Sequence, residues 1–218
     1  MYRLLFEKKG RAVWISHLDL MRLFQRAFKR AGLLLTHTQG YNPRPSVSIA
    51  LPLSVGTESV CELLDFDLEQ QHDPAYIMTA LNNSLTEGIR VLSVYTEGMK
   101  LRQLAYLQCS VSLQYDKSIT QDDVEQIRVL FAGENLSVEK KSKNGIQEQD
   151  IIPMIYSMEV DLSDDNTIVL SARICCQNPS LNPAQLVSAI SRYLPYLRPD
   201  CVKIERCEVY DINHKVFR

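Results

Sequence analysis

The chain has 218 residues, of which 45% are hydrophobic and 23% are charged, and its formal net charge is −2. This length suits one large domain or two small ones of about a hundred residues each, and the composition excludes intrinsically disordered, collagen-like and low-complexity proteins. Because no apolar run approaches the roughly 18 residues that span a bilayer and the N-terminus lacks a signal-peptide core, we expect a cytoplasmic protein without a membrane partner.

The first half of the chain predicts alternating strands and helices. Residues 2–7 are the first expected strand, and residues 12–15 are a second, short extended run. From Leu18 onwards, apolar side chains recur at three- and four-residue steps, which is typical of an amphipathic helix, and Gly32 marks its end. Further strands are predicted at 46–53, 58–68 and 90–95, and a helix capped by Asp73 at 74–85.

The second half repeats this order less regularly. The predicted elements are a strand at 104–115, a helix at 121–131 capped by Thr120, a basic strand at 136–141, a turn at 143–145, a hairpin of 151–160 with 167–175, a helix opened by Asn182 and ending near 193, and a strand at 201–210. We therefore predict an α+β fold of tandem ferredoxin-like (β-α-β-β-α-β) units with antiparallel sheets, in domains at 1–97 and 98–218. In such a unit both helices pack on one sheet face and leave the other face open.

The small net charge hides a strong separation of charge along the chain. Residues 1–50 carry nine Lys and Arg against two acids, a difference of +7, whereas residues 51–97 carry one Arg against eight acids, a difference of −7. Such asymmetry favours an anionic partner for the basic segment. The alternative is that the two segments are neighbours and neutralise each other, and the sequence leaves both possibilities open.

The cysteines show no metal-binding spacing. Six are present without any CxxC or CxxxCxxC motif: Cys61, Cys109, Cys175, Cys176, Cys201 and Cys207. Without an export signal, we expect them to be reduced and mostly buried. Adjacent Cys175 and Cys176 would point to opposite faces of a strand, which suits neither a tetrahedral metal nor a disulfide, so no metal and no cofactor is predicted. A zinc site that joins one of them to Cys201 and Cys207 is the alternative.

The start of the basic helix carries polar residues with two possible roles. Ser16 followed by Asp19 fits a capping box, which satisfies free helix amides and needs no ligand. His17 would then be an ordinary residue of the first turn, where the helix dipole disfavours its protonated form. In the other interpretation, neutral His17 beside free amides and Arg44 forms a corner that binds an anion or a base.

The loop after this helix combines rigidity with groups that bind nucleotides. In Gln39–Pro45 (QGYNPRP), Gly40 permits a positive φ and two prolines stiffen the backbone. Tyr41 could stack on a base, and Asn42 and Arg44 could hold a phosphate. A tight structural loop is the simpler explanation of the same residues.

Three runs of sequence closely resemble the radical-SAM-linked protein family. They are FEKKGRAVWISHLDLMRLFQRAFKRAGL at 6–33, TQGYNPRPSVSIALPLSVGTES at 38–59 and ELLDFDL at 62–68. That family is a bacterial domain of unknown function, fused to or encoded beside a radical-SAM protein. The resemblance is dense over residues 2–69 and looser beyond. The family usually has Phe where Tyr41 stands, so an aromatic ring is kept, and often His or Lys around Arg44 and Ser46.

The resemblance implies a radical-SAM partner and a role in the modification of RNA or protein. Because the chain has no CxxxCxxC motif to ligate the radical-SAM cluster, we expect the companion and not the catalytic protein. A remoter similarity is to tandem ferredoxin-like RNA-processing proteins, the CRISPR endonucleases, whose Gly-rich loop near the C-terminus contacts RNA. Here all eight glycines lie at or before Gly145, which disfavours nuclease activity.

Three functions remain as hypotheses. The first is an RNA-binding accessory module for a radical-SAM modification enzyme, with the RNA- or anion-binding residues Arg11, Ser16, Arg22, Arg26, Lys29, Arg30, Gln39, Tyr41, Asn42 and Arg44. The second is a protein-interaction scaffold that docks the radical-SAM partner through the basic helix or the acidic strand at 58–69. The third is an enzyme with His17 and Asp19 as catalytic candidates and Arg44 as electrophile, although residues two apart on a helix diverge by about 200°.

Overall fold

The computed structural model describes residues 1–142 and 145–218, including the side chains outside 141–144, and the chain divides into two units. Unit 1 contains residues 1–101 together with Arg218, and unit 2 contains residues 102–217. No helix in the described ranges is both long and apolar enough to cross a bilayer.

Unit 1 has the ferredoxin-like order of elements. Its elements are β1 (Tyr2–Lys8), α1 (His17–Arg30), β2 (Val47–Ile49), β3 (Thr57–Phe66), α2 (Pro74–Asn82) and β4 (Ile89–Tyr95). The strands are ordered β4-β1-β3-β2, and each pair is antiparallel. This order follows from β-α-β-β-α-β connectivity, in which each helix returns the chain across one face of the sheet.

The core of unit 1 explains why α1 lies where it does. The apolar stripe predicted from its periodicity is buried, and Phe24 and Phe28 are fully enclosed. The Phe24 ring meets Phe6 of β1 edge-on at 4.8 Å between centroids, and the Phe28 ring lies 4.8 Å from Phe66 of β3. Burying one stripe of the helix against these strands leaves its opposite, charged stripe at the surface.

Two predictions for unit 1 are wrong in detail. Residues 10–14 form a 3₁₀ helix, not an extended run, because Ala12 and the adjacent Val13 are both buried, whereas a strand would turn alternate residues outward. The strand predicted at 46–53 shortens to the three residues of β2. Pro52 has no amide hydrogen to extend the ladder.

The sheet face opposite the helices of unit 1 is not open to a partner near β1 and β3, contrary to the prediction. Arg3 and Asp65 face each other across these strands and are only 4% and 9% exposed. The Arg3 guanidinium donates to both Asp65 oxygens, at 2.6 and 2.9 Å, and to the Met99 carbonyl at 2.8 Å. A bidentate ion pair thus occupies this face.

Unit 2 has the same order with an insertion. Its elements are β5 (Leu104–Gln114), α3 (Gln121–Phe131), β6 (Ser137–Ser142), β7 (Gly145–Asp150), β8 (Ile155–Asp164), β9 (Thr167–Cys175), α4 (Pro183–Tyr193) and β10 (Cys201–Asp211). The main sheet is ordered β10-β5-β9-β8 with antiparallel neighbours. Between α3 and β8, β6 and β7 form a separate antiparallel pair.

The helices of unit 2 begin where their caps predict. Thr120 accepts from the Asp123 amide while Asp123 bonds back to the Thr120 amide, and Asn182 makes the equivalent box with Gln185. β7 is not predicted from the sequence, and β8 starts later than residue 151 because a 3₁₀ helix with Pro153 precedes it. Residues 143 and 144 of the turn predicted at 143–145 lie outside the described residues.

The predicted fold class is confirmed. Both units combine two principal α-helices with a largely antiparallel sheet, and both have the strand order of a ferredoxin-like unit. The capping residues and the helical periodicity, which act locally, are the features that located these elements correctly.

Candidate functional site

Helix α1 presents the most concentrated positive charge in unit 1. Four exposed cations lie on its outer face: Arg22, Arg26, Lys29 and Arg30. Arg22 pairs with Asp19, the single acid of the helix, at 2.9 Å, and Arg30 donates to the Ser84 carbonyl at 2.5 Å. Among the described residues, neither Arg26 nor Lys29 has a hydrogen-bond or ion-pair partner for its side chain. We call these four residues the basic face.

The described ion pairs of the acidic segment, residues 51–97, are made with cations outside the basic face. Asp65 pairs with Arg3, and Asp67 pairs with the N-terminal amine at 2.9 Å. The buried Lys8 ammonium donates to the Val13 and Ile15 carbonyls; its burial lowers its pKa, and the charge of Glu62 partly opposes that shift. The strand cations are therefore balanced inside unit 1, while the helix cations face solvent.

Two grooves border the basic face. One, of about 540 Å³, lies between α1 and the turn before β4 and is lined by Arg22, Arg26 and Arg30 together with Asp19 and Thr86. The other, of about 430 Å³, lies between α1 and the following loop and is lined by Arg26 and Lys29 together with His37, Pro45 and the acidic Glu69. Arg26 lines both grooves, so its guanidinium is the centre of the positive surface.

The loop at residues 36–46 projects beside the second groove. Its stem is a short antiparallel pairing, in which the Thr38 amide donates to the Arg44 carbonyl at 2.8 Å and the Arg44 amide donates to Thr38 Oγ1 at 3.0 Å. Gly40 has a φ of +138°, which favours glycine at the turn. Tyr41 is fully exposed at the tip, and Gln39, Asn42 and Arg44 are exposed beside it.

The N-terminus of α1 is occupied by its cap. Ser16 accepts from the Asp19 amide at 3.2 Å, and its hydroxyl donates to the Asp19 carboxylate at 2.8 Å. The hydrogen bond from Ser16, followed by that from Arg22, lowers the pKa of Asp19. An exposed carboxylate held ionised in this way is suited to capping and not to proton donation.

The predicted site residues His17, Arg44 and Arg11 make no hydrogen bond to this cap in the described part of the chain. No described hydrogen bond or ion pair links His17 to Arg44. The Nδ1 atom of His17 is enclosed without a hydrogen-bond partner in the described part of the chain. Arg11 is exposed in the 3₁₀ helix before α1 and has no side-chain partner among the described residues.

Sequence reasoning missed several groove residues. Leu34 and His37, just after α1, and Thr86, which reaches α1 only through the return of the chain, line the grooves but belong to no motif. Trp14 was predicted within an extended run. In the structure it is 72% exposed, and its ring lies over Gly56, where an added Cβ would be 3.5 Å from the ring. The sequence feature that could have indicated an exposed ring is the position of Trp14, an aromatic residue, within the basic segment 1–50.

The cysteines do not come together as a metal site within the described residues. No cluster of three His, Cys, Asp or Glu side chains that could hold a metal ion occurs within residues 1–142 and 145–218. All six cysteines are free thiols, with Cys201 exposed. Burial raises the pKa of Cys109 and of Cys176 to about 12, so both thiols are protonated at neutral pH.

Comparisons with known proteins give one family and a fold. The family described as "Uncharacterized protein conserved in bacteria (DUF2344)" matches residues 1–183. No curated protein matches the chain. A chain in the crystal structure of a Cbf5-Nop10-Gar1 complex is similar at a TM-score of 0.52 and 9% identity, over 95% of this chain and 48% of that one. The present chain therefore spans about half the length of that structural relative.

Two further solved structures are similar at lower scores. A chain of the archaeal box H/ACA sRNP Nop10-Cbf5 complex has a TM-score of 0.47 and 9% identity, over 94% of this chain and 46% of that chain. An unknown protein from Galdieria sulphuraria has a TM-score of 0.29 and 13% identity, over 94% of this chain and 96% of that chain.

Proposed function

The chain belongs to the family described as "Uncharacterized protein conserved in bacteria (DUF2344)", and from the basic face of α1 we propose that it is an RNA-binding accessory protein for a radical-SAM modification enzyme. The observation that carries the proposal is the division of charge in unit 1. Arg3 and the N-terminal amine have carboxylate partners on or beside β3, whereas Arg26 and Lys29 have none among the described residues.

The basic face suits a phosphate backbone. Arg22, Arg26 and Arg30 follow one another at four-residue steps, so they form a row about 12 Å long on one side of the helix. Arginine binds phosphate oxygens bidentately, and its planar guanidinium loses less entropy for each hydrogen bond formed than a flexible ammonium does. The grooves on both sides of the row give a strand of RNA room to follow it.

The loop at 36–46 supplies the contact to a base. Tyr41 is fully exposed at its tip, where a stacked base would replace water on one ring face. Asn42 and Arg44 would then bind the adjoining phosphate, and the short pairing of the loop stem would hold the three side chains close together. The basic face positions the strand, and the loop contacts an unpaired nucleotide.

The radical-SAM partner is proposed from the sequence resemblance of residues 6–33, 38–59 and 62–68. It would be tested by co-expression of this chain with the radical-SAM protein encoded beside it, followed by co-purification. Recovery of a stable complex in the presence of nuclease supports the accessory role. Complete separation of the two proteins, with and without RNA, would overturn it.

RNA binding itself is tested by charge reversal. Fluorescence anisotropy of a labelled, single-stranded RNA would be compared for the wild-type chain and Arg26→Glu/Lys29→Glu. The matched control is Arg90→Glu/Arg198→Glu, which changes the net charge equally at two exposed cations away from α1. We expect the first variant to lose at least ten-fold in affinity and the control to change little. Equal losses would mean that only net charge matters and would refute a defined site.

An acidic protein surface could bind the same basic face by charge complementarity, as in the scaffold hypothesis. The two functions differ in their response to RNA. If the radical-SAM partner binds the basic face directly, excess RNA should compete with the partner for this chain. If the face binds RNA, added RNA should leave the complex intact or strengthen it.

A further inference from the structure

A cluster of aromatic rings and one arginine lies on the sheet of unit 2, far along the chain from the basic face. The members are Tyr106 of β5, Tyr156 of β8, Arg173 of β9, Tyr210 of β10 and His214 in the turn after β10. Tyr210 lies opposite Tyr106 in the strand register, and Arg173 lies opposite Gln108. All three strands therefore direct these side chains to the same face, away from the buried Leu107 and Ile174.

His214 is held in this cluster by a strained turn. It is the one non-glycine residue with a positive φ, 59°, in the described ranges. The Asp211 carboxylate accepts from the Asn213 and Lys215 amides, at 2.9 and 2.8 Å, and so fixes the turn. The His214 ring stacks on Tyr156 at 4.0 Å and on Tyr106 at 4.6 Å between centroids. A residue kept in a rare backbone conformation to build a stack often marks a functional position.

Arg173 supplies a positive charge that has no carboxylate partner in residues 1–142 and 145–218. Its guanidinium lies 3.9 Å from the centre of the Tyr210 ring and 5.8 Å from that of Tyr156. Its Nε atom is enclosed and has no hydrogen-bond partner among the described residues. Stacking on Tyr210 orients the half-buried guanidinium beside the exposed Tyr156 ring.

Tyr156 offers the cluster's accessible ring. It is 56% exposed, although it contacts both His214 and Arg173. The strand register shifts between Ile155 and Ser157, so Tyr156 is the extra residue of a β-bulge. Bulges re-aim side chains beside binding sites, and here the bulge lies in the strand at the end of the unit 2 sheet order.

We propose that this Tyr156 cluster is a stacking site for one unpaired nucleotide of single-stranded RNA. The base stacks on Tyr156, and the Arg173 guanidinium binds its phosphate. Aromatic rings on a β-sheet face with an adjacent arginine are the groups that hold single-stranded nucleic acid with little dependence on sequence. The inference deepens the proposed function and rests on it in naming RNA as the ligand, but it uses none of the residues of α1.

The test uses a single-stranded RNA of about ten nucleotides that contains one 2-aminopurine, whose fluorescence is quenched on stacking. The full-length chain should quench the probe. Tyr156→Ala should abolish the quenching and weaken binding by about 5- to 100-fold, while Tyr156→Phe retains both. The control is Tyr76→Ala, because Tyr76 is 54% exposed in unit 1 outside the cluster, and it should behave as wild type.

Parallel measurements with Arg26→Glu/Lys29→Glu separate the two proposals. If that variant loses affinity and Tyr156→Ala does not, the nucleotide site is refuted while the proposed function stands. If only Tyr156→Ala loses affinity, the nucleotide site stands and the basic face is refuted as the RNA site. Two further arms complete the test. Equal quenching of a 2-aminopurine within duplex RNA, or displacement of the probe by stoichiometric uridine monophosphate, would overturn an RNA strand as the ligand.

Discussion

The basic face predicts a specific dependence of RNA affinity on salt. Binding of phosphates by lysine and arginine releases counterions, and the logarithm of the association constant falls by about 0.7 per contact for a single strand. The four cations of the basic face with Arg11 and Arg44 allow six contacts at most. Arg22 shares its charge with Asp19, so about four to six contacts, and a slope near −3 to −4, are expected.

The perturbation is Arg26→Gln/Lys29→Gln, which removes the two cations without described partners and introduces no repulsion. The slope should become less steep by about 1.4, because two counterions fewer are released. Between 50 and 200 mM salt, the wild-type affinity should fall about a hundred-fold and that of the variant about twenty-fold. Fluorescence anisotropy titrations at four or more salt concentrations measure both slopes.

The matched control is Arg90→Gln/Arg198→Gln, which removes the same charge elsewhere and should keep the wild-type slope. A wild-type slope near zero would refute a phosphate-binding surface altogether. A slope that changes equally in both double variants would refute the assignment to α1, since the salt dependence would then reflect total charge.

Three further predictions concern stability and reactivity. Asp65→Ala should cost about 3–5 kcal/mol of unfolding free energy in urea titrations, because Arg3 is left buried without its partner; a loss below 1 kcal/mol would contradict this. Ser16→Ala should cost about 1 kcal/mol in the same assay and Ser16→Asp little, since aspartate also caps helices; equal losses would argue against capping. Cys201 should react with a thiol reagent in the native chain at neutral pH and Cys109 only after unfolding, as read by mass spectrometry; early labelling of Cys109 would contradict its burial.

Local features of the sequence predicted most of the fold. The caps at Ser16, Asp73 and Thr120 are where helices begin, because a side chain that accepts from a free amide acts over two or three residues. The apolar period of α1 likewise predicted which stripe is buried. The failures were the 3₁₀ helix at Gly10–Trp14 and the strand β7, whose exposed GIQEQD sequence has no alternation to detect.

The candidate site was predicted in its parts and not in its assembly. The cations of α1 were identified from their spacing on one helix face, and the structure leaves them exposed. Their grooves depend on His37 and Pro45 in the loop that follows α1, and on Thr86, which approaches α1 only after the chain has returned across the sheet. No short-range rule connects residues at such separations.

By itself, the sequence determined the tandem fold, the helix starts and the segregation of charge between residues 1–50 and 51–97. Which charges neutralise each other was decided by the tertiary structure, because antiparallel pairing of β1 with β3 sets Arg3 opposite Asp65, while Arg26 of α1 makes no ion pair among the described residues. The tertiary structure also assembled the Tyr156 cluster. Its members lie as far apart as residues 106 and 214 in the chain and meet because the strand order β10-β5-β9-β8 brings them to one sheet face. Strand pairing acts over distances in sequence that composition and periodicity cannot report.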